Sequence, residues 1–95
     1  MENYGYLGMD ISKGYADLHI LKANKQPLEP TFRLYDVPEG HKQLELLISQ
    51  WLNQERFTTL YCGVESTGGY ENNWVGYLQH LSATKPLKIA RLNPK

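Results

Sequence analysis

The spacing of apolar side chains switches partway along this chain, from alternate residues to the three-and-four step of a helix. Tyr4 to Asp10 reads as an aromatic and apolar strand, closed by the polar turn Ser12-Lys13-Gly14. Tyr15 to Lys22 alternates, with Ala16, Leu18 and Ile20 on one face and Asp17 and His19 on the other, so the short turn makes the two runs a hairpin. Asn24 to Pro30 is a polar, proline-containing loop, and Thr31 to Tyr35 is a third strand. Pro38 then opens a helix at a position where its missing N–H is harmless, with Asp36 just upstream as a candidate cap. Leu44, Leu47, Ile48, Trp51 and Leu52 make one buried helical face, and Asn53 to Phe57 is the exit. Thr58 to Glu65 is a strand apolar on both faces, the pattern of a central strand covered on two sides. Ser66-Thr67-Gly68-Gly69 turns into a second helix whose inner face is Tyr70, Trp74, Tyr77, Leu78 and Leu81, and Leu87 to Leu92 is a fifth strand.

Three antiparallel strands followed by helix-linked parallel ones, with right-handed crossovers, leave few topologies. The expected closure is an α/β, mixed five-stranded sheet of order 3-2-1-4-5, with the first strand central and the helices packed on it. This is the order of the ribonuclease-H-like fold, and its strand-rich start also opens the actin-like ATPases. Ninety-five residues, 41% of them hydrophobic, supply one core and one domain. Ten basic and ten acidic side chains cancel, which argues against a module that grips nucleic acid by charge alone. The mild basic bias of Lys85, Lys88, Arg91 and Lys95 reads as a solvated face. Cys62 is the sole cysteine, so no intrachain disulfide forms, and its apolar neighbours make it a small buried hydrophobe. Without a basic leader or a long apolar stretch, the expectation is a soluble, cytoplasmic protein with no membrane partner.

Two acids stand out by position. Asp10 follows Gly8 and Glu65 follows Gly63 by two residues, each at a strand end, so each acid has a bare glycine surface one step behind it on its own face. If the two strands are parallel neighbours about 4.8 Å apart, both carboxylates emerge at one carboxyl edge. Two unpaired carboxylates there repel, and a divalent cation with hard oxygen ligands, such as magnesium, removes the penalty. For Ser66, Thr67 and Gly68 two readings stay open: hydroxyl caps for the following helix, or a phosphate site built from its N–H groups. His19, His41 and His80 show no zinc-site spacing and read as surface or cap histidines.

Several motifs resemble one family in order along the chain. Gly8-Met9-Asp10-Ile11-Ser12-Lys13 is similar to the opening of insertion-sequence transposases of family one-hundred-ten, and Asp17-Leu18-His19-Ile20 to their second strand. Val37-Pro38-Glu39-Gly40 resembles the start of their first helix, with Val37 in place of the usual hydroxyl cap. Gly63-Val64-Glu65-Ser66-Thr67-Gly68-Gly69-Tyr70 resembles their glutamate signature, and Leu92-Asn93-Pro94 the end of the next strand. The resemblance implies the front, truncated portion (1–95) of a RuvC-like domain with an Asp-Glu-Asp-Asp active site, in which Asp10 and Glu65 are the first two catalytic, metal-binding acids. The third and fourth acids, and a carboxyl-terminal domain with a nucleophilic serine, have no counterpart in this sequence. It further implies magnesium in a two-metal site, DNA as substrate, a guide RNA, a homo-oligomeric full-length protein and action at the bacterial or archaeal nucleoid. Two other classes stay in play: the amino-terminal part of an actin-like ATPase or sugar kinase, and a non-catalytic nucleic-acid-binding module whose tyrosines stack on bases.

Overall fold

The computed structural model describes residues 2–66 and 68–92. Alternation builds its strands. In β1 (Tyr4–Ser12) Leu7, Met9 and Ile11 point to the buried side, and in β2 (Tyr15–Leu21) Ala16, Leu18 and Ile20 do so. The turn between them needs a left-handed residue and has Gly14 at φ 86°. A loop then leads to the short β3 (Phe32–Tyr35), antiparallel to β2. That loop is tied down where Leu28 N–H donates to Ile20 C=O at 2.8 Å and the Trp51 indole N–H donates to Glu29 at 2.5 Å.

Helix α1 (Pro38–Glu55) has proline in its first turn and buries Gly40, Leu44, Ile48 and Trp51. It does not use Asp36 as a cap. Val37 is the N-cap residue and makes no side-chain cap bond. Asp36 instead accepts from His41 Nε2 at 2.7 Å and from Asn73 Nδ2 at 3.2 Å, because the chain turns its carboxylate toward the second helix. At the other end Arg56 takes the left-handed conformation at φ 56°, and Asn3 Nδ2 donates to the otherwise free Glu55 carbonyl at 2.7 Å.

β4 (Thr59–Ser66) then lies parallel to β1, and β5 (Leu87–Leu92) parallel to β4, joined by α2 (Asn72–Ser82). The sheet order is β3-β2-β1-β4-β5, as the sequence predicts. Leu60, Cys62 and Val64 of β4 share one core with the inner strand residues and with Leu44, Ile48, Trp51, Trp74, Val75, Leu78 and Leu81 of the helices. That core lies on one face of the sheet only. The expectation that β4 is covered on both sides fails among the described residues: Tyr61, on its other face, is 38% exposed.

The second helix also departs from expectation. It starts at Asn72, so Tyr70 lies before it and is exposed, while Val75 joins the inner face. Tyr77 is half-buried, with its hydroxyl donating to Glu45 Oε1 at 2.9 Å. No helix among the described residues is long and apolar enough to cross a membrane.

Candidate metal centre

The open face of the sheet is organised in rows, because register aligns side chains of the same parity across strands. The row nearest the carboxyl ends of β1 and β4 runs Glu65, Asp10, Asp17, Arg33 from β4 through β1 and β2 to β3. Behind it lie Ala90, Gly63, Gly8 and His19. A third row holds Lys88, Tyr61, Tyr6 and Leu21, in which Tyr6 and Tyr61 stack at 5.8 Å. The glycines flatten the middle row into a trough of about 610 Å³ beside the acids.

Asp10 and Glu65 are direct register partners on parallel neighbours, so their backbones stand about 4.8 Å apart with both side chains on the open face. Nothing crowds the surface behind Asp10. A Cβ built on Gly8 would meet nothing nearer than 3.9 Å, and one on Gly63 would come within 3.1 Å of the Leu92 side chain.

Each remaining charge in the row has a local partner. Asp17 faces Asp10 from β2, yet its carboxylate is taken by Arg33, whose Nε and Nη2 donate at 2.8 and 3.2 Å in a two-pronged bond. That guanidinium holds the Asp17 carboxyl below its usual range, and the same bond raises Arg33. The Arg33 plane in turn lies 3.8 Å above the Tyr15 ring. Asp10 is paired differently, with His19 Nε2 at 3.1 Å from its Oδ2.

Two carboxylates in paired positions, one with its side chain 62% exposed, offer the hard oxygen donors that magnesium takes. The described residues contain no group of three or more His, Cys, Asp or Glu able to hold a metal. The Ser66 turn does not supply the helix cap that one sequence reading gave it. Its hydroxyl accepts from the Gly68 and Tyr70 amides at 3.4 and 3.2 Å, so it closes the turn itself. α2 begins later, at N-cap Glu71, with no side-chain cap. Thr67 lies outside the described residues, as do Asn93 and Pro94. Arg91, expected on a solvated face, is exposed but bonded to Glu71 at 3.0 Å and Asn72 at 3.1 Å, which ties the start of α2 to β5.

Sequence reasoning did not single out His19 or Asp17 as neighbours of Asp10. It placed both on the outward face of β2, and that alternation was the available signal; the β1–β2 register that brings them to Asp10 was not.

The sheet order with a central first strand, the two parallel crossovers and the two helices on one face define a ribonuclease-H-like fold of the RuvC-like kind. Among solved structures the chain is similar to T. thermophilus RuvC in complex with a Holliday junction substrate, with a TM-score of 0.63 and 12% sequence identity over 96% of this chain and 65% of that one. The chain thus spans 65% of that neighbour's length, and at this identity the likeness is one of fold. No family model matches the chain. No curated protein matches it either.

Proposed function

We propose that this chain is the amino-terminal portion of a nucleic-acid-cleaving domain, of the insertion-sequence transposase type, in which Asp10 and Glu65 are two of four carboxylates that hold magnesium. The observation that carries this reading is the direct pairing of the two acids at one end of a RuvC-like sheet. The family-like motifs around both acids point the same way.

Within the site, Asp10 and Glu65 supply oxygen donors from adjacent parallel strands, and Gly8 and Gly63 keep the surface behind them low. Arg33 draws Asp17 toward β3, which leaves Asp10 and Glu65 as the pair facing the open site. Divalent metal bound there would activate the attacking oxygen and stabilise the departing one in phosphoryl transfer. DNA is the proposed substrate. A guide RNA, further acids and a serine nucleophile beyond residue 95, and oligomerisation are extensions that rest on the family resemblance.

The test is a manganese or magnesium titration of the chain followed by amide NMR. We expect weak, millimolar binding, as suits an incomplete hard-ion site, with perturbation centred on Asp10 and Glu65 and lost in Asp10→Asn. Micromolar affinity, or an unaltered response in Asp10→Asn, contradicts the assignment. In the full-length protein Asp10→Asn should abolish DNA strand transfer with the fold intact. Binding of ATP in place of metal would favour the actin-like alternative.

A further inference from the structure

His19 is bonded to Asp10, and the proposed chemistry has not used it. It stands opposite Gly8 in the β1–β2 register, and its ring reaches diagonally to Asp10, whose direct partner on β2 is Asp17. No side chain on Gly8 obstructs that diagonal. The ring is held at both nitrogens: Nε2 lies 3.1 Å from Asp10 Oδ2, and Nδ1 lies 3.0 Å from Thr31 Oγ1.

Of the two neutral tautomers these contacts select one. A bare Nε2 lone pair at 3.1 Å from a carboxylate oxygen would face another lone pair, so Nε2 carries the proton and donates to Asp10. Nδ1 then accepts from the Thr31 hydroxyl, which can donate as readily as accept. Thr31 is itself placed by the β2–β3 loop, anchored two residues earlier by the Glu29–Trp51 bond to a fully buried indole. A path therefore runs from the core through the Trp51–Glu29 bond, along two residues of backbone to Thr31, and through His19 to one oxygen of Asp10.

We infer that His19 is a positioning residue: with Thr31 behind it, it holds Oδ2 of Asp10 and so fixes the rotamer that leaves Oδ1 free for a cation shared with Glu65. The cation rests on the function proposed above, whereas the orientation of Asp10 does not. The pair is exposed, with 45% of the His19 and 62% of the Asp10 side chain accessible, so its effect lies in orientation and little in stability.

Three NMR readouts test this at pH 8 on the chain and on His19→Ala, His19→Gln and Thr31→Val. Imidazole nitrogen shifts of the metal-free chain should show His19 protonated at Nε2, with the tautomers mixing in Thr31→Val. Side-chain couplings should show one Asp10 rotamer in the parent, averaging in His19→Ala, and recovery in His19→Gln, whose amide Nε2 can donate from a similar reach. Manganese affinity should fall about tenfold in His19→Ala, at the lower end for loss of a group that orients a metal ligand, and return to within about threefold in His19→Gln. A bare Nε2 with the proton on Nδ1 instead, or an Asp10 rotamer equally fixed in His19→Ala, overturns the role of His19 whatever the metal does. Absence of any manganese effect at Asp10 and Glu65, with the rotamer result as expected, would instead overturn the metal site and leave His19 as the residue that orients Asp10.

Discussion

Cys62 faces the core between Leu60 and Val64, and burial pushes its thiol up to about 12. The thiolate is the reactive form, so iodoacetamide at pH 8 should leave the folded protein unmodified and label it only in denaturant. Labelling of the native protein at the rate of a free thiol would contradict the packing. The same shift sets an alkaline limit. Above pH 9 the unfolded thiol loses its proton while the folded one keeps it, so stability is full below about pH 9 and declines as pH rises toward 12. On the acid side the sign reverses. Asp17, bonded by Arg33, and Glu45, bonded by the Tyr77 hydroxyl, both titrate below their ordinary values. Their stabilisation is present above about pH 4.5 and is lost as pH falls through the lowered folded values. Thermal melts between pH 2 and 6 should show this slope, and Arg33→Ala with Tyr77→Phe should flatten it. At this scale the sequence made Asp10 and Glu65 visible because each ends a strand two residues after a glycine. His19, Asp17 and Asp36 were not legible as partners, since their contacts depend on register and on how helices meet, and neither is encoded in local spacing.

The elements were legible wherever periodicity ran for several turns or pleats. α1 and the five strands fall where the apolar pattern puts them, with ends displaced by up to three residues, the largest being α1, which runs through the expected exit as far as Glu55. The start of α2 was misread because the hydroxyl-and-glycine run looks like a helix entry, whereas the Ser66 side chain bonds within that run and the helix waits until Asn72. Gly40 shows what motif reading saw without its reason. A Cβ there would lie 1.8 Å from the Tyr35 carbonyl oxygen, a backbone atom, so α1 approaches the end of β3 too closely for any side chain. Gly40→Ala should therefore destabilise the protein by about 1–3 kcal/mol despite alanine's better helix propensity. Urea denaturation showing no loss would mean that α1 can shift away from β3. Gly8 supplies the contrast: with open space around its Cβ position, Gly8→Ala should be neutral or stabilising by up to about 1 kcal/mol.

As a whole, the molecule has a radius of gyration of 12.4 Å, which equals the roughly 12 Å of a compact domain of this length, although its core occupies one side of the sheet. On the ribosome β1, β2 and β3 emerge before the strand with which β1 pairs in parallel, and the eighteen residues of α1 intervene. Until β4 arrives, one flank of β1 presents unsatisfied N–H and C=O groups beside Leu7, Met9 and Ile11, a template on which any extended peptide can add. Chains stopped before residue 59 should accordingly aggregate or hold chaperones, and chains carried through residue 92 should be released. Pelleting of stalled nascent chains of the two lengths measures the difference. The interval of this exposure is thus written into the strand order, and it closes at the moment Glu65 comes to rest beside Asp10.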